Sequence, residues 1–491
     1  MSTLARIPTG WCAAAALLLA LQLGGCAEPG PLPKPLGLMG AAGAGLRDDA
    51  ATTFPAAQWW RALGAPALDA LIEQALAGQP SLDIAAARLT RAAAVVDATL
   101  ASQGPQAGLG LDLTRQRFSE HGLVPPALAG KIVNVGNLQA SASFELDFFG
   151  RHQAALRAAV GQQQAARVEL QAARVLLAAS VARAYVSLAR LASLQALAQR
   201  SLEQRQTMLD LTRSRVKAGL DSAVELRLAE SGLPEVRGQI ESLTGQMMLV
   251  RHQLALLSGQ SPQSLDGLVP ALLTMPGLAL PDRLGADLLG RRADVVAARW
   301  RVEAALQDVE VARGQFYPDI NLMGFAGLNT LGLDHLLTLG SRSLGAGPAL
   351  RLPLFDGGRL RANLLGRAAD ADAAVAAYNA AVLEAAREVA DAASNWQSVA
   401  RQQAEQAQAQ ALTESAYELA QQRYRAGLGN QLLVLNAETS VLAQRNQHAE
   451  LQARALDAQV SLMRALGGGW RDDKPAPTAL LPVPGTLAAA R

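Results

Sequence analysis

The chain is short of most of what enzyme chemistry is built from. Among 491 residues there are two cysteines, five histidines and 4% aromatics, and the formal net charge is only +2. Cys12 falls inside the apolar N-terminal stretch, so an exported chain keeps Cys26 alone and has no internal disulfide. The histidines (His121, His152, His252, His335 and His448) stand singly, never in a zinc spacing such as His-Glu-x-x-His. No glycine pattern suits a phosphate loop or a dinucleotide, and no nucleophile, base and orienting acid stand together. These absences argue against an enzyme and against any cofactor. Met248 and His252 lie one helical turn apart with Met247 beside them, a set that a soft metal such as copper(I) or silver accepts. Helix packing accounts for methionines more often, and no metal is assigned. The near balance of charge lacks the basic footprint of a nucleic-acid binder.

What the chain does have is a long run that occurs twice. Gly150-Arg151 opens a stretch closed by Ala218-Gly219-Leu220, and Gly358-Arg359 opens another closed by Ala426-Gly427-Leu428, in register at both ends. This is an internal duplication. Both runs lack proline and are dense in Ala, Leu, Gln, Arg and Glu, so each predicts one helix of ~67 residues, ~100 Å long at 1.5 Å per residue. Counting by alternating fours and threes from Leu177 gives Val181, Ala184, Leu188, Leu191, Gln195, Ala198, Leu202, Arg205 and Leu209, a narrow heptad seam. One such arm alone reads as an antiparallel coiled-coil hairpin. Two matched arms, each followed by a returning helix, call for a larger assembly.

The N-terminus reads as an export signal: Arg6, the apolar stretch Trp11 to Leu23, then Leu23-Gly24-Gly25-Cys26. The apolar stretch is too short for a retained transmembrane helix. Its end resembles a bacterial lipobox with Cys26 as the acylated residue, in preference to a general secretory signal with an incidental cysteine. Acyl chains there would tether the chain to lipid. Residues 27 to 58, rich in proline and then in small residues, read as an extended tether without a core of its own. Pro80 precedes a helix expected to run to about Gln103, with Ser81 as a candidate cap.

Between the helices the period changes from 3.6 to 2. Leu109, Leu111 and Leu113 alternate with Gly110, Asp112 and Thr114, and Leu138, Ala140, Ala142, Phe144 and Leu146 alternate with polar residues. Strands are expected at about 108–117 and 137–147, with the long loop Arg117 to Val135 between, and at about 319–328 and 344–354 in the second copy. Their length and alternation suit membrane β-strands; a soluble sheet buried on one face is the competing reading. Pro348 within the last strand marks an edge-like position, a bulge or a misread boundary. Four strands cannot close in lipid. Closure needs several chains: two is formally possible, and three give twelve strands and a lumen.

Five segments carry a family resemblance: Glu145-Leu146-Asp147-Phe148-Phe149-Gly150-Arg151, Leu352-Pro353-Leu354-Phe355-Asp356-Gly357-Gly358-Arg359, Phe316-Tyr317-Pro318, Arg291-Arg292-Ala293-Asp294-Val295 and Arg423-Tyr424-Arg425-Ala426-Gly427. In this order the chain resembles the TolC-like outer-membrane efflux proteins, most closely the lipid-anchored NodT-type branch. The family usually has proline where Ala293 stands. The resemblance implies a mostly α fold with membrane β: a homotrimer whose twelve-strand outer-membrane barrel continues as a long periplasmic α-helical barrel. It implies partners too: a periplasmic membrane-fusion adaptor protein, an inner-membrane transporter of the resistance-nodulation-division type or similar, and outer-membrane lipid. The organisation expected is a signal peptide 1–25, an acylated tether 26–58, a first repeat 59–258, an equatorial linker 259–288, a second repeat 289–466 and a tail 467–491. Segments near 59–78, 260–288 and 467–491 would form a belt, with Gly467-Gly468-Gly469 opening a loosely held tail.

By the same resemblance the turns 218–222 and 426–430 form the periplasmic tip. Ala218, Gly219, Leu220, Asp221, Ser222, Ala426, Gly427, Leu428, Gly429 and Asn430 would meet the adaptor, although Gly219 and Gly427 are also explained as left-handed helix caps. Gate residues carried over are Tyr424 and its acidic partner Glu225, with Leu433 and Asn436 where relatives carry aspartate rings; Gly429 stands where an arginine is often found, which weakens the expected salt bridge. A core role for Leu433 and a solvated one for Asn436 are nearly as well supported. Asp112, Glu145 and Asp147 lie on polar strand faces and suit a pore lining, with helix capping as the other reading of Asp147. The function implied is a passive duct for small molecules in a tripartite efflux system. The alternatives are a channel for protein secretion and a coiled-coil lipoprotein scaffold, and the amphipathic strand pairs tell against the scaffold.

Overall fold

A computed structural model of the chain describes residues 29–46, 54–273, 285 and 287–472. Cys26, the segment 1–25 and the tail beyond 472 lie outside the described residues. The elements are α1 (Pro66–Gly78), α2 (Pro80–Ser102), β1 (Gln106–Arg117), β2 (Ile132–Leu146), α3 (Arg151–Lys217), α4 (Ala223–Leu257), the single-turn α5 (Leu288–Arg291), α6 (Ala293–Gly314), β3 (Asp319–Leu331), β4 (Arg342–Arg351), α7 (Arg359–Arg425) and α8 (Gln431–Ala465). The long helices α3 and α7 each have 67 residues, and the returning helices α4 and α8 each have 35. Contacts divide the chain into two units, one of 1–38, 89–165 and 298–377 and one of 39–88, 166–297 and 378–491. Both α3 and α7 contribute to each.

The first unit holds an antiparallel sheet in the order β1-β2-β3-β4. The register sets Leu109 opposite Ala140, Ala140 opposite Ala326, and Ala326 opposite Leu344, so most apolar residues of the four strands share one face, while Val133, Val135, Met323 and Phe325 lie on the other. Three strand ends differ from the sequence reading by three residues or more, and β3 is one of them, running on to Leu331. β2 begins at Ile132, because Val133 and Val135 pair with Gln116 and Thr114 and shorten the loop to 118–131. β4 ends at Arg351, ahead of Pro353, whose nitrogen has no hydrogen to donate to a ladder. Pro348 stands opposite Leu322 in β4, an outer strand of this sheet, where a missing donor is tolerated.

Ser81 is not a cap. Pro80 takes the first helical position, where its missing N–H would be unpaired anyway, and the Gln79 carbonyl accepts from Leu82. Asp147 proves to be a helix cap, accepting the Gln153 N–H of α3 at 2.9 Å, and Asp356 accepts from Gly358 and Leu360 at the start of α7. The tether also differs from expectation. Leu32 packs on Val309, Phe316, Leu360 and Leu364, the Pro29 carbonyl accepts from Arg361 at 2.7 Å, and the Leu36 N–H donates to Asp372 at 2.9 Å. This proline-rich segment has no strand partner, so side chains of α7 serve its backbone, Arg361 as donor and Asp372 as acceptor.

In the second unit the seam of α3 packs against α4 and α1. Leu177, Val181, Leu188, Leu191 and Leu209 are buried, and the two polar seam positions find partners on α4, Gln195 donating to Thr244 at 2.8 Å and Arg205 Nη1 to the Gly232 carbonyl at 3.2 Å. The glycines at 467–469 open a held segment rather than a loose one. All three have positive φ, and a Cβ there would lie 2.1 Å from the Arg291 carbonyl, 2.4 Å from Val175 and 2.1 Å from the Ala56 carbonyl. Just beyond them, Asp472 accepts from Arg167 at 2.7 Å.

Arg292, between α5 and α6, joins this unit. It is 5% exposed and donates to Asp294 at 2.6 Å, to Glu388 of α7 at 2.7 Å and to the Ala465 carbonyl of α8 at 3.1 Å, while Arg464 reaches Glu388 at 2.8 Å. Burial alone would raise both carboxyls, but the arginine hydrogen bonds and charges outweigh it and hold Asp294 and Glu388 below their usual range. Their contribution to stability is therefore complete above the ordinary carboxylate range and is lost as pH falls through the depressed values. Arg292→Ala leaves Glu388 and the Ala465 carbonyl short of a donor and is expected to cost about 3–5 kcal/mol. The urea midpoint in detergent checks this, with Arg387→Ala, which breaks exposed, solvent-screened pairs to Glu384 and Asp391, expected to leave the midpoint nearly unchanged.

Candidate functional site

The two far turns are built alike. At the end of α3 the Leu220 N–H bonds the Arg215 carbonyl and Gly219 bonds Val216; at the end of α7 Leu428 bonds Arg423 and Gly427 bonds Tyr424. This is the paired closure of a Schellman motif, which needs a left-handed residue, and Gly219 and Gly427 supply it at φ +72° and +73°. Space around both glycines is open, so conformation alone selects them. The returning helices start on side-chain caps: Ser222 Oγ accepts from Val224 at 3.2 Å, and Asn430 Oδ1 accepts from Leu433 at 3.0 Å. Leu220, Leu428 and Leu432 are exposed, as are Ala218, Ser222, Ala426 and Asn430, while Asp221 and Gly429 are half-buried.

Glu225 does not pair with Tyr424. Its carboxylate takes the Ser222 N–H at 3.0 Å and the Ser222 hydroxyl, closing a capping box that holds the carboxyl below its usual range. The acid beside Tyr424 is Asp221. It accepts the tyrosine hydroxyl at 2.9 Å and both Arg215 Nε at 2.9 Å and Nη2 at 3.2 Å, and the Arg215 guanidinium lies 4.5 Å over the Tyr424 ring. Arginine, carboxylate and phenol thus clamp the turn of one helical hairpin to the arm of the other. Arg215 is the participant that sequence reasoning missed. Its signal was slight, a basic residue in a last helical turn with an aspartate just past the glycine.

Tyr424 is 1% exposed and packs with Tyr417, Ala420, Val434 and Val441. Burial, reinforced by the Asp221 carboxylate, pushes its hydroxyl up to about 12. The Arg215 hydrogen bonds, ahead of the one from Tyr424, hold Asp221 below the carboxylate range. On α8 the inward positions are Gln431, Val434, Glu438 and Val441, and Leu433 and Asn436 are exposed. Leu433 is therefore not a core residue of this chain. Glu438 is buried, and burial raises its carboxyl against a smaller opposing effect of Arg205.

Asp112 pairs with Asn137 on the polar face of the sheet, and Glu145 on the same face is engaged by Arg151 and by His152, whose Nε2 lies 2.8 Å away. Among the described residues no three His, Cys, Asp or Glu gather as a metal site. Met247 is core while Met248 is half exposed, so the methionines face apart.

Asp221 has a depressed pKa, so its part in the clamp is full above the carboxylate range and fades as pH falls through the lowered value; Tyr424 has a raised one, so its part is full below about pH 10 and fades as pH climbs toward 12. The clamp is thus expected to be insensitive to pH between about 5 and 9. Tyr424→Phe removes one hydrogen bond to a charged group, about 1.5–3 kcal/mol. Amides of 218–222 should then exchange with deuterium roughly tenfold or more faster, with Glu225→Gln, which keeps a capping-box acceptor, showing no such change.

Several known proteins are similar to this chain over most of its length. Multidrug resistance outer membrane protein MdtQ of Escherichia coli O157:H7 is 34% identical over 426 residues, covering 85% of this chain and 89% of that protein. Multidrug resistance outer membrane protein MdtP of Shigella flexneri is 35% identical over 447 residues, covering 87% and 90%. The crystal structure of the outer membrane protein VceC of Vibrio cholerae superposes with a TM-score of 0.79 at 35% identity, covering 85% of this chain and all of that one. Residues 71–260 and 284–468 match the model of the outer membrane efflux protein family, and the chain belongs to that family.

Proposed function

We propose that this outer-membrane efflux protein works as a passive homotrimeric duct that carries small molecules, drugs among them, from a pump and its adaptor to the outside. Three copies of the four-strand sheet would close a twelve-strand barrel with the shared apolar face toward lipid and the polar face toward the lumen. Acyl chains on Cys26 would add a lipid anchor. The energy would come from an inner-membrane transporter of the resistance-nodulation-division type or a similar one, linked through a periplasmic membrane-fusion adaptor protein. Relatives named for multidrug resistance support the class of cargo.

The observation that carries this reading is the pair of matched tips. Each presents an exposed leucine beside a left-handed glycine, Leu220 at 66% and Leu428 at 71% exposure, and nothing in the chain's own packing requires either. Exposed apolar side chains on two equivalent turns suit docking by the hairpins of an adaptor. Beside them the Arg215–Asp221–Tyr424 clamp would hold the tip closed, and adaptor docking would separate the hairpins. Leu433 and Asn436, exposed on α8, would ring the opening, closing it by packing and hydrogen bonding rather than by carboxylates, so cation block there should be weak.

Valine at position 427 would meet no clash but could not easily adopt φ near +73°, a cost of about 1–3 kcal/mol paid at the turn itself. In a deletion strain, the wild-type gene should restore efflux and Gly427→Val should not, while both proteins reach the outer membrane in equal amounts. Full resistance with normal assembly of the variant would remove the tip from the mechanism.

A further inference from the structure

The polar face of the sheet is interrupted at mid-height. From the row of Glu145 and Asn321 to the row of Asn137 and Asn329 it carries Gln106, Gly108 and Gly110 on β1, Gln139, Ser141 and Ser143 on β2, and Ser343, Gly345 and Gly347 on β4. On β3, in their midst, stand Met323 and Phe325. Phe325 is in register with Ser141 on one side and Gly345 on the other, and Met323 with Ser143 and Gly347. The Phe325 ring lies across Gly345: a Cβ on that glycine would sit 2.7 Å from ring Cε1 and 2.8 Å from Cζ. The ring is nonetheless 41% exposed.

We propose that Phe325 is a solute-contacting residue of the duct, with Met323 beside it, selecting for compounds with aromatic or broad apolar surface. The inference rests on the trimeric barrel proposed above, whose threefold symmetry sets three such rings around the lumen at one level. Water-lined walls of serine, glutamine and glycine offer a passing aromatic molecule little, whereas an exposed ring face offers stacking and, to an organic cation, its π-electrons. Gly345 is what keeps the ring flat against the wall. Any side chain there would lift the ring into the path of solutes.

A purely structural role is the competing account, since an aromatic ring laid over a strand glycine also shields its backbone. Single-channel recording in planar bilayers separates the two, using current block by tetraphenylphosphonium and by tetrabutylphosphonium, its aliphatic counterpart. Channels are recorded as wild type and on the Asp221→Ala background, where the tip clamp is broken. With Phe325 present, the aryl cation should block more tightly than the alkyl one. Phe325→Leu, which still covers Gly345, should weaken aryl block about three- to tenfold and leave alkyl block unchanged, Phe325→Tyr should preserve it, and Gly345→Ala should lower the open conductance. Equal aryl block in wild type and Phe325→Leu, with conductance intact, would overturn the role of Phe325 and leave the duct standing. Absence of any current steps in both backgrounds would overturn the duct itself, and this inference with it.

Discussion

A helix of 67 residues satisfies its own backbone but cannot bury its own apolar stripe, and that constraint organises the chain. α3 carries a seam of alternating four- and three-residue steps, and along the second unit α4 and α1 cover it. The cover is apolar where the seam is apolar and supplies a hydroxyl or a carbonyl where Gln195 and Arg205 interrupt it. α7 needs the same service. Part of it comes from the segment ahead of residue 46, whose prolines leave it poor in backbone donors and in which the Leu36 and Met39 N–H groups donate to Asp372 and Asn379. The buried Arg292 then ties the start of α6 to α7 and α8 with charge rather than with shape.

Duplication solves the problem twice with the same parts. Each long helix ends in a left-handed glycine, each returning helix opens on a side-chain cap, and both returning helices have equal length. The copies differ where function is expected to reside. The first turn contributes an aspartate, Asp221, and the arm of the second contributes Tyr424, so their meeting joins the hairpins. Such a clamp suits a contact that must hold and also yield, because it consists of a few hydrogen bonds at a half-exposed end rather than of core packing.

The helices were legible in the sequence because proline-free, alanine- and leucine-rich runs with paired glycine ends leave few other structures open. Strand existence was legible too, from the alternation of Leu109, Leu111 and Leu113. Strand ends were not: Asn134, Gly136 and Asn137 hid the first turns of β2 from any search for alternating polarity, although backbone pairing extends through them. At the tip, spacing counted along the chain pointed to Glu225. The carboxylate there is used up by its own helix terminus, a local competition that favours the capping box wherever serine precedes glutamate by three residues. Asp221 wins the tyrosine because Arg215 has already turned it inward, and that three-body geometry has no signature in linear order. The ordering of residues 29–46 and of Gly467 to Gly469 was hidden for a related reason: their partners, α7, Arg291 and Val175, are distant in sequence.

On this reading the open four-strand sheet and the seamed helices are completed by identical copies around a lumen. The mass and particle shape of the mature protein, extracted from outer membranes in detergent, test it most directly. Three copies in an elongated hollow particle are the expected result. One or two copies without a lumen would contradict the account.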